Sequence, residues 1–484
     1  MKSTRPMESE PRLSSDDDPP ESKLFPQVTA VVLAAGDGQR LGSEIPKPAY
    51  PICGRAMSAH VLHALSDAGI RMAVVVVAPG ARGQAVRDAL DSDPSAIELS
   101  YVVQQEPRGT ADAVMATRGE VMTSHVLVVN GDLPLITSDQ IRPVILAEDA
   151  DAVIATAHAD DPSQMGRIVR GERGSLQGIV EWRDASESER RICEVNLGFY
   201  RFRSDYLWPE LECVLGGAAN SGEAYVTSVL PSAVAQGHAR AVEVAMDDGR
   251  LNVETPIDVA DAATVLRQRI VTRHLEAGVH IRDRDAVWID AQVAISDGAV
   301  IEPGVHIRGR SEVEANARLG PNTVVEDSVI GEGSVVESCT IKGSTLDKEV
   351  EIGPYSTIRP GCVIGSRSHI GTHAELKQAH VGSGVQIGHF SYMGDVDIGP
   401  RTNIGAGAIT CNFDGDGKHR TVIGEAAFIG SDTMLVAPVR VGNRARTGAG
   451  SVVTRDVPDG GNAVGHPARL TPARAERRGS EQQA

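Results

Sequence analysis

The stretch EIGPYSTIRPGCVIGSRSHIGTHAELK (Glu351–Lys377) decides the fold. Apolar residues occupy every sixth position, at Ile352, Ile358, Ile364, Ile370 and Leu376, and glycine follows three of them (Gly353, Gly365, Gly371). The beat resumes at Ile398-Gly399 and Ile404-Gly405, continues through Ile423, Ile429, Leu435 and Val441, and is already present upstream at Ile295, Ile301, Ile307, Val313, Leu319 and Val325. A helix needs a period near 3.6 and a simple strand a period of 2, so a sustained spacing of six fits neither alone. It predicts a parallel β-helix of hexapeptide repeats. Each hexad makes one short strand with an aliphatic residue on the axis, and three hexads close a triangular coil whose outer faces stay free for contacts and sites.

With 484 residues the chain is long enough for two or three domains, and its 41% hydrophobic content is ordinary. Aromatic residues make up only 3%. A narrow axis filled by Val, Ile, Leu and Ala accounts for that shortage. The net charge of -18 argues against general binding to nucleic acid or an anionic membrane, so an anionic substrate needs local Arg and Lys. Six cysteines (Cys53, Cys193, Cys213, Cys339, Cys362, Cys411) form no CxxC pair and no metal-ligand spacing, which predicts reduced thiols and a cytoplasmic protein. No apolar run reaches the roughly twenty residues of a membrane span. The first 27 residues read as a polar disordered leader without an apolar signal core, and residues 468–484 as a disordered tail.

Residues 28–257 alternate strand and helix. VTAVVLAAG opens at Val28, and apolar strands return at Met72–Gly80, Ser100–Gln105 and His125–Asp132; helical patterns at Met57–Gly69 and Gly109–Met122 lie between them. This order predicts a mostly parallel, Rossmann-like α/β sheet covered by helices, with ligands at the carboxyl ends of the strands. The loop Ala34, Ala35, Gly36, Asp37, Gly38 can bring backbone amides to phosphates, with Arg40 and Lys47 adding charge; a plain turn is the alternative. Asp132, at a strand end, suits a magnesium ion or the cap of a following helix. Neither GxGxxG nor GK[ST] occurs here, so the dinucleotide and P-loop classes do not apply.

LAAGDGQRLGSEIPK (Leu33–Lys47) resembles the signature of sugar-1-phosphate nucleotidyltransferases, and QQEPRGTADA, NGDLPL, MGRIV, GIVEWRDA and EVNLGFY follow in the same order. With the hexapeptide half behind them, residues 28 to 467 resemble the family of bifunctional N-acetylglucosamine-1-phosphate uridyltransferases and glucosamine-1-phosphate acetyltransferases. The resemblance implies a left-handed β-helix, magnesium, and UTP and acetyl-CoA as co-substrates. It further implies a homotrimer with sites between subunits, and glucosamine 1-phosphate and N-acetylglucosamine 1-phosphate as substrates. In the first half it implies that Leu33, Ala34, Ala35 and Gly36 meet the nucleotide, Lys47 the phosphates, and Gln104, Gly109 and Thr110 the uracil. Gly131 and Asp132 would belong to the same site, Asp132 holding the metal, and Gly166, Glu181 and Asn196 would line the sugar pocket.

The chain departs from that pattern at several positions. Ile257 stands where the family has its second metal-binding Asn; Asp258, one residue on, is the candidate ligand, with a helix cap as its alternative role. Asn130 and Met165 replace aromatic residues, and Ser228 replaces Asp. DVADAATVLRQRIVTRHLEAG (258–278) reads as a linker helix leading into the repeat domain at residues 279–467.

Chemistry in the second half falls where the six-residue beat is interrupted. Arg359, Lys377, His389, Tyr392 and Asn403 stand on coils, and AITCNFDGDGKHRT (Ala408–Thr421) is an insertion that would loop out from one face, carrying Asn412 and Lys418 within reach of a neighbouring subunit. Arg359, Lys377 and Lys418 suit a sugar phosphate. His389 suits a general base for its amine, or a backbone cap. The resemblance implies sugar-phosphate contacts from Tyr392 and Asn403, support from Glu375, and an acetyl-CoA track along Ala406, Asn412, Phe413, Ser431 and Ala449. Phe413 takes the place of a usual Tyr, and the late Arg that meets coenzyme A has only Arg469 as a candidate.

Three functions fit: a bifunctional enzyme, an acetyltransferase whose nucleotide domain only binds or regulates, and a non-catalytic trimeric scaffold.

Overall fold

A computed structural model describes residues 27–36, 38–147, 150–162, 165–171, 174–218, 224–246 and 252–471. The expected leader, Asp37 in the glycine-rich loop, and the tail beyond Thr471 lie outside the described residues. The chain divides into two compact units, Met1–Ala262 and Ala263–Ala484.

The first unit is built on a nine-stranded sheet. Its strands are β1 (Val28–Ala34), β2 (Met72–Val77), β3 (Glu98–Val103), β4 (His125–Asn130), β5 (Ala152–His158), β6 (Arg167–Arg170), β7 (Leu176–Val180), β8 (Glu194–Arg203) and β9 (Ala239–Glu243). Their order is β9-β5-β8-β4-β1-β2-β3, with β6 and β7 added beside β8. Strands β1 to β4 pair in parallel, and β8 runs antiparallel to both β4 and β5. The apolar runs form these strands because both faces are covered: Val31, Val32, Val75, Val76, Val128 and Val129 are fully buried. Helices α1 (Met57–Asp67), α2 (Gly80–Asp91) and α4 (Ser138–Leu146) pack as one group. Helices α3 (Thr110–Met115) and α5 (Ser204–Ala218) form another, and the short α6 (Leu230–Ala235) packs beside β7 and β9. The helix predicted over Gly109–Met122 ends at Met115, where Thr117 Oγ1 donates to the Val114 carbonyl and the chain breaks into turns.

Helix α7 spans Pro256–Glu276, two residues ahead of its predicted start. Thr255 and Asp258 close a reciprocal box around its first turn: the Asp258 amide donates to Thr255 Oγ1 (3.3 Å), and the Thr255 amide donates to Asp258 Oδ2 (2.7 Å). Pro256 then sits where no amide is needed.

The second unit is the predicted solenoid. Register runs in parallel from coil to coil: Ile352 beside Ile370, Ile370 beside Ile387, Ile387 beside Ile404, and Ile404 beside Ile429 across the insertion. The six-residue positions form its axis, with Ile301, Ile307, Ile358, Ile364, Ile370, Leu376, Ile429 and Leu435 all at 0% exposure. A second regularity is a column of buried serines at the corners. Ser356 Oγ donates to the Gly371 carbonyl (2.6 Å) and accepts the Ala374 amide (2.9 Å), and Ser368 Oγ repeats this with the Gly382 carbonyl and the Val385 amide. Each hydroxyl satisfies backbone groups that the turn would leave unpaired. Ala468–Thr471, expected to begin the disordered tail, is instead a strand antiparallel to Asn462–Gly465, pairing with the last coil's open edge. Among the described residues no helix is long and apolar enough to cross a membrane.

Candidate functional site

In the first unit two contiguous hollows, each about 600 Å³, open at the carboxyl ends of β1, β3 and β4. They share Arg40, Thr110, Asn130, Asp132, Tyr225 and Glu254. Glycines make this approach possible. Gly131 donates its amide to the Leu33 carbonyl (2.9 Å), and a Cβ there would lie 2.8 Å from that oxygen, so β4 ends against β1 only because residue 131 has no side chain. Gly38, at φ +60°, brings the loop so near Lys47 that a Cβ would fall 2.4 Å from the Lys47 Cβ.

Lys47 then reaches across, and its Nζ donates to Asp132 Oδ2 at 2.6 Å. The other oxygen, Asp132 Oδ1, is buried and has no hydrogen-bond partner among the described residues. A buried carboxylate oxygen with an open lone pair fits a hard divalent cation. Arg40 forms a parallel pair with Glu254 on the same rim. Gln104 Nε2 donates to the Gly109 carbonyl and to Asp112 Oδ2, both at 3.0 Å, fixing the amide at the head of α3. Thr110 Oγ1 accepts the Val226 amide (2.8 Å). On the far side Gly166, Glu181 and Asn196 converge: the Asn196 amide donates to the Gly166 carbonyl (2.9 Å), and Asn196 Nδ2 donates to the Tyr200 hydroxyl (2.7 Å). Burial, and then the nearby Asp184 carboxylate, raises the Glu181 pKa above the ordinary value.

Leu33, Ala35, Gly36, Lys47, Gln104, Gly109, Thr110, Asp132, Gly166, Glu181 and Asn196 all line the cleft. Three expected residues do not. Ala34 is 2% exposed and belongs to the sheet core, because β-strand alternation turns it away from its neighbours Leu33 and Ala35. Gly131 contributes backbone approach only. Asp258 is consumed by the cap of α7, its Oδ2 accepting from the Glu254 amide, the Thr255 amide and the Thr255 hydroxyl. The residues of that segment that do line the cleft are Asn252 and Glu254, and neither was singled out as a ligand from sequence. Trp182, Arg183, Asp184 and Tyr225 were also missed, although three of them flank Glu181 within GIVEWRDA.

In the second unit Glu375 and Tyr392 are register partners, and Lys377 and Gly394 follow two residues along the same strands. Leu376 and Met393 fill the axis between them, so Glu375, Lys377 and Tyr392 face outward together. Arg359 joins this face from the coil before, its Nη1 donating to Glu375 Oε1 at 2.9 Å. The Lys377 ammonium lies beside that of Lys418. The proximity and charge of Lys418, followed by desolvation and by Arg359, hold the Lys377 pKa below the ordinary lysine value.

The insertion therefore folds back on its own chain. Arg420 anchors it, Nε donating to Asp397 Oδ2 (2.6 Å) and Nη2 to the Val396 carbonyl (3.2 Å). Asp414 closes the tip by accepting the Asp416 and Gly417 amides (2.9 and 2.8 Å), which holds its carboxyl well below the usual range. Asn412 Nδ2 donates to Asp395, and Phe413 pairs with Lys418 across the tip.

His389 ends a strand of the adjoining face, and the chain turns at Phe390 and Ser391 before Tyr392 begins the next. Its imidazole is exposed and has no hydrogen-bond or ion-pair partner among the described residues. Its carbonyl does the structural work, accepting the Gly407 amide (3.2 Å) and the Ser391 hydroxyl (3.0 Å). The expected backbone-capping role thus falls to the main chain and leaves the ring free. Directly along the corner stand Ala406, Ser431 and Ala449, one per coil, linked by the amides of Asp432 to the Ala406 carbonyl (2.7 Å) and Gly450 to the Ser431 carbonyl (2.8 Å). Each of the three follows a glycine (Gly405, Gly430, Gly448), as His389 follows Gly388, so the corner forms a shallow track of small residues leading to His389. Asn403 lies on the same sheet in register with Gln386 and Phe428.

Comparison with known proteins agrees with both halves. The chain matches the MobA-like NTP transferase domain over residues 30–198, the GlmU-like C-terminal hexapeptide over 313–399 and the bacterial transferase hexapeptide over 420–455. It is 37% identical over 442 residues to the bifunctional protein GlmU of Heliobacterium modesticaldum, covering 90% of this chain and 95% of that protein. Identity is 36% over 445 residues to the Streptomyces avermitilis protein of the same name (90% and 91% covered) and 38% over 448 residues to that of Streptococcus pyogenes serotype M12 (91% and 96%). Likeness at this level runs through both the nucleotide cleft and the solenoid, and the chain belongs to the GlmU family of bifunctional proteins.

Proposed function

We propose that the chain makes UDP-N-acetylglucosamine in two steps. The solenoid transfers acetyl from acetyl-CoA to glucosamine 1-phosphate, and the first unit joins the product to UMP from UTP. The observation that carries this reading is the gathering of Arg359, Lys377 and Lys418: three cations in mutual repulsion, which a phosphate dianion relieves.

At the solenoid the free His389 imidazole takes a proton from the sugar amine. The amine nitrogen attacks the thioester carbon, the C–S bond breaks, and coenzyme A leaves as its thiol. Arg359, Lys377 and Lys418 hold the phosphate, Tyr392 and Asn403 orient the sugar, and the pantetheine arm lies on the Ala406, Ser431 and Ala449 track with Asn412 and Phe413 beside it. In the cleft the phosphate of N-acetylglucosamine 1-phosphate attacks the α-phosphorus of UTP in line, and the bond to the leaving pyrophosphate breaks. Positioning and charge neutralisation lower the barrier without a protein nucleophile. Lys47 meets the phosphates, Gln104, Gly109 and Thr110 the uracil, and Gly166, Glu181 and Asn196 the sugar. Asp132, with its open Oδ1, would hold magnesium, which when bound supplies positive charge to the triphosphate.

The working form we propose is a cytoplasmic homotrimer without nucleic-acid partners, a reading supported by the flat solenoid faces, the net charge of -18 and six free cysteines. A second reading, an acetyltransferase with an inert nucleotide cleft, draws on Ile257, which is 73% exposed, and on Asp258 being held in the helix cap. Thiol release and magnesium-dependent pyrophosphate release, measured on the purified full chain, separate the two. Both are expected; thiol release alone would select the second reading, and absence of both would refute the proposal.

A further inference from the structure

On the sugar side of the cleft, beside Glu181, stands a clasp for which the transfer chemistry has no use so far. Trp182 lines the same hollow as Gly166, Glu181 and Asn196. Two guanidinium groups lie over its indole, the Cζ of Arg167 4.9 Å from the ring centroid and that of Arg190 4.7 Å. Arg167 is 1% exposed, and backbone carbonyls take up its donors: Nη1 reaches Pro162 (3.2 Å) and Met165, while Nε and Nη2 reach Arg190 (both 3.4 Å). One buried cation thus ties together the residue before Gly166, the ring of Trp182 and the turn at Arg190. Arg190, itself exposed, completes the stack.

The wall around this clasp has little slack. A Cβ on Gly166 would fall 3.2 Å from Ile179 Cγ2 and 3.3 Å from Glu181 Oε2, so the Glu181 carboxylate packs directly on the Gly166 backbone. Trp182 follows Glu181 in a turn whose hydrogen bonds are its own, the Glu181 carbonyl accepting the Asp184 and Ala185 amides (both 3.0 Å). The contact of Trp182 with Arg167, the first residue of β6, joins that turn to the sheet. We propose that Trp182 is a positioning residue for the sugar-phosphate substrate: clasped by Arg167 and Arg190, it holds Glu181 against Gly166 at the spacing the sugar requires, and does not act on the triphosphate. This inference rests on the nucleotide-transfer reading above and deepens its sugar site. The two cations are drawn to an aromatic face, so an aromatic substitute keeps the clasp and an aliphatic one loses it. If Trp182 only braced an outer turn, its loss would lower the Tm and leave both substrates' KM values alone.

The experiment measures magnesium-dependent pyrophosphate release by the full chain, W182F, W182M and W182A, with KM determined separately for N-acetylglucosamine 1-phosphate and for UTP, and thermal melting to verify folding. In W182M and W182A the KM for the sugar phosphate should rise roughly tenfold or more, the scale of a desolvated cation–π contact, while the KM for UTP stays within about twofold. W182F should remain within about threefold of the parent for both substrates. An unchanged sugar-phosphate KM in W182A, equal rises for the two substrates, or W182M matching W182F overturns the inference and leaves the nucleotide reading standing. A parent chain that releases no pyrophosphate removes that reading, and this inference with it. If W182A melts early, R190M, which strips only the exposed cation, supplies the same test: a smaller rise confined to the sugar phosphate supports the clasp, and no rise overturns it.

Discussion

The cleft and the solenoid both collect cations for a phosphorylated ligand, but they store the charge differently. In the cleft each cation has a carboxylate, Lys47 with Asp132 and Arg40 with Glu254. On the solenoid Lys377 is pressed against Lys418, and among the described residues only Arg359 of the three cations forms an ion pair with a carboxylate, Glu375. On the proposed reading the difference follows from the ligand each site is to receive. A triphosphate arriving with a divalent ion brings both signs, so a neutral array of pairs suits it. A sugar phosphate brings its negative charge without a metal ion, and a cluster with an excess of positive charge suits that.

The largest effect that sharpens this contrast is expected at Asp132. D132N should lower pyrophosphate release by roughly 10²–10³-fold, the scale of one preorganised charge-stabilising group, and leave thiol release unchanged. Smaller, and confined to the other unit, K377A should raise the KM for glucosamine 1-phosphate by about 10–100-fold, as expected for a charge-assisted contact of ~1.5–3 kcal/mol, while pyrophosphate release stays constant. Equal losses in both assays for either variant would break the comparison.

A pH dependence follows from the Lys377–Lys418 contact. The Lys377 pKa is lowered in the fold, first by Lys418. Between the lowered value and the ordinary lysine value the unfolded chain binds more protons at this site, so this group's contribution to stability rises with pH across that alkaline window. Phosphate binding needs the charged form and runs the opposite way: affinity for the sugar phosphate should fall as pH climbs through the lowered pKa, and K418M should move that fall to higher pH. Calorimetric titration across the alkaline range checks both. The smallest effect is structural. T255A removes one partner of the α7 cap and should cost about 1 kcal/mol, read as a drop in Tm, without separating the two activities.

Much of the fold can be read from the chain because the solenoid axis imposes its own period. Every six-residue position from Ile352 to Leu376 is buried, and the track to His389 is written as a glycine followed by a small residue on successive coils. What the sequence conceals are choices between two roles for one residue type. Thr255-Pro256-Ile257-Asp258 reads equally as a ligand segment or a capping box, and the hydrogen bonds of the first turn decide it. The insertion's length is visible in the sequence; Arg420 gripping Asp397, which brings Lys418 beside Lys377 of the same chain, is a long-range pairing with no periodic signal. Ala34 points into the sheet core while Leu33 and Ala35 line the cleft, because a signature lists consecutive residues, whereas a strand alternates its faces.

The central claim is that two separate sites act in sequence, the solenoid first. The most direct measurement is UDP-N-acetylglucosamine formation by full-length H389A from two starting mixtures. Given glucosamine 1-phosphate, acetyl-CoA and UTP, the variant should form product roughly 10²–10⁴-fold more slowly than the parent, the range for losing a general base; given N-acetylglucosamine 1-phosphate and UTP, it should match the parent. Equal rates from the first mixture, or equal losses from both, would contradict the account.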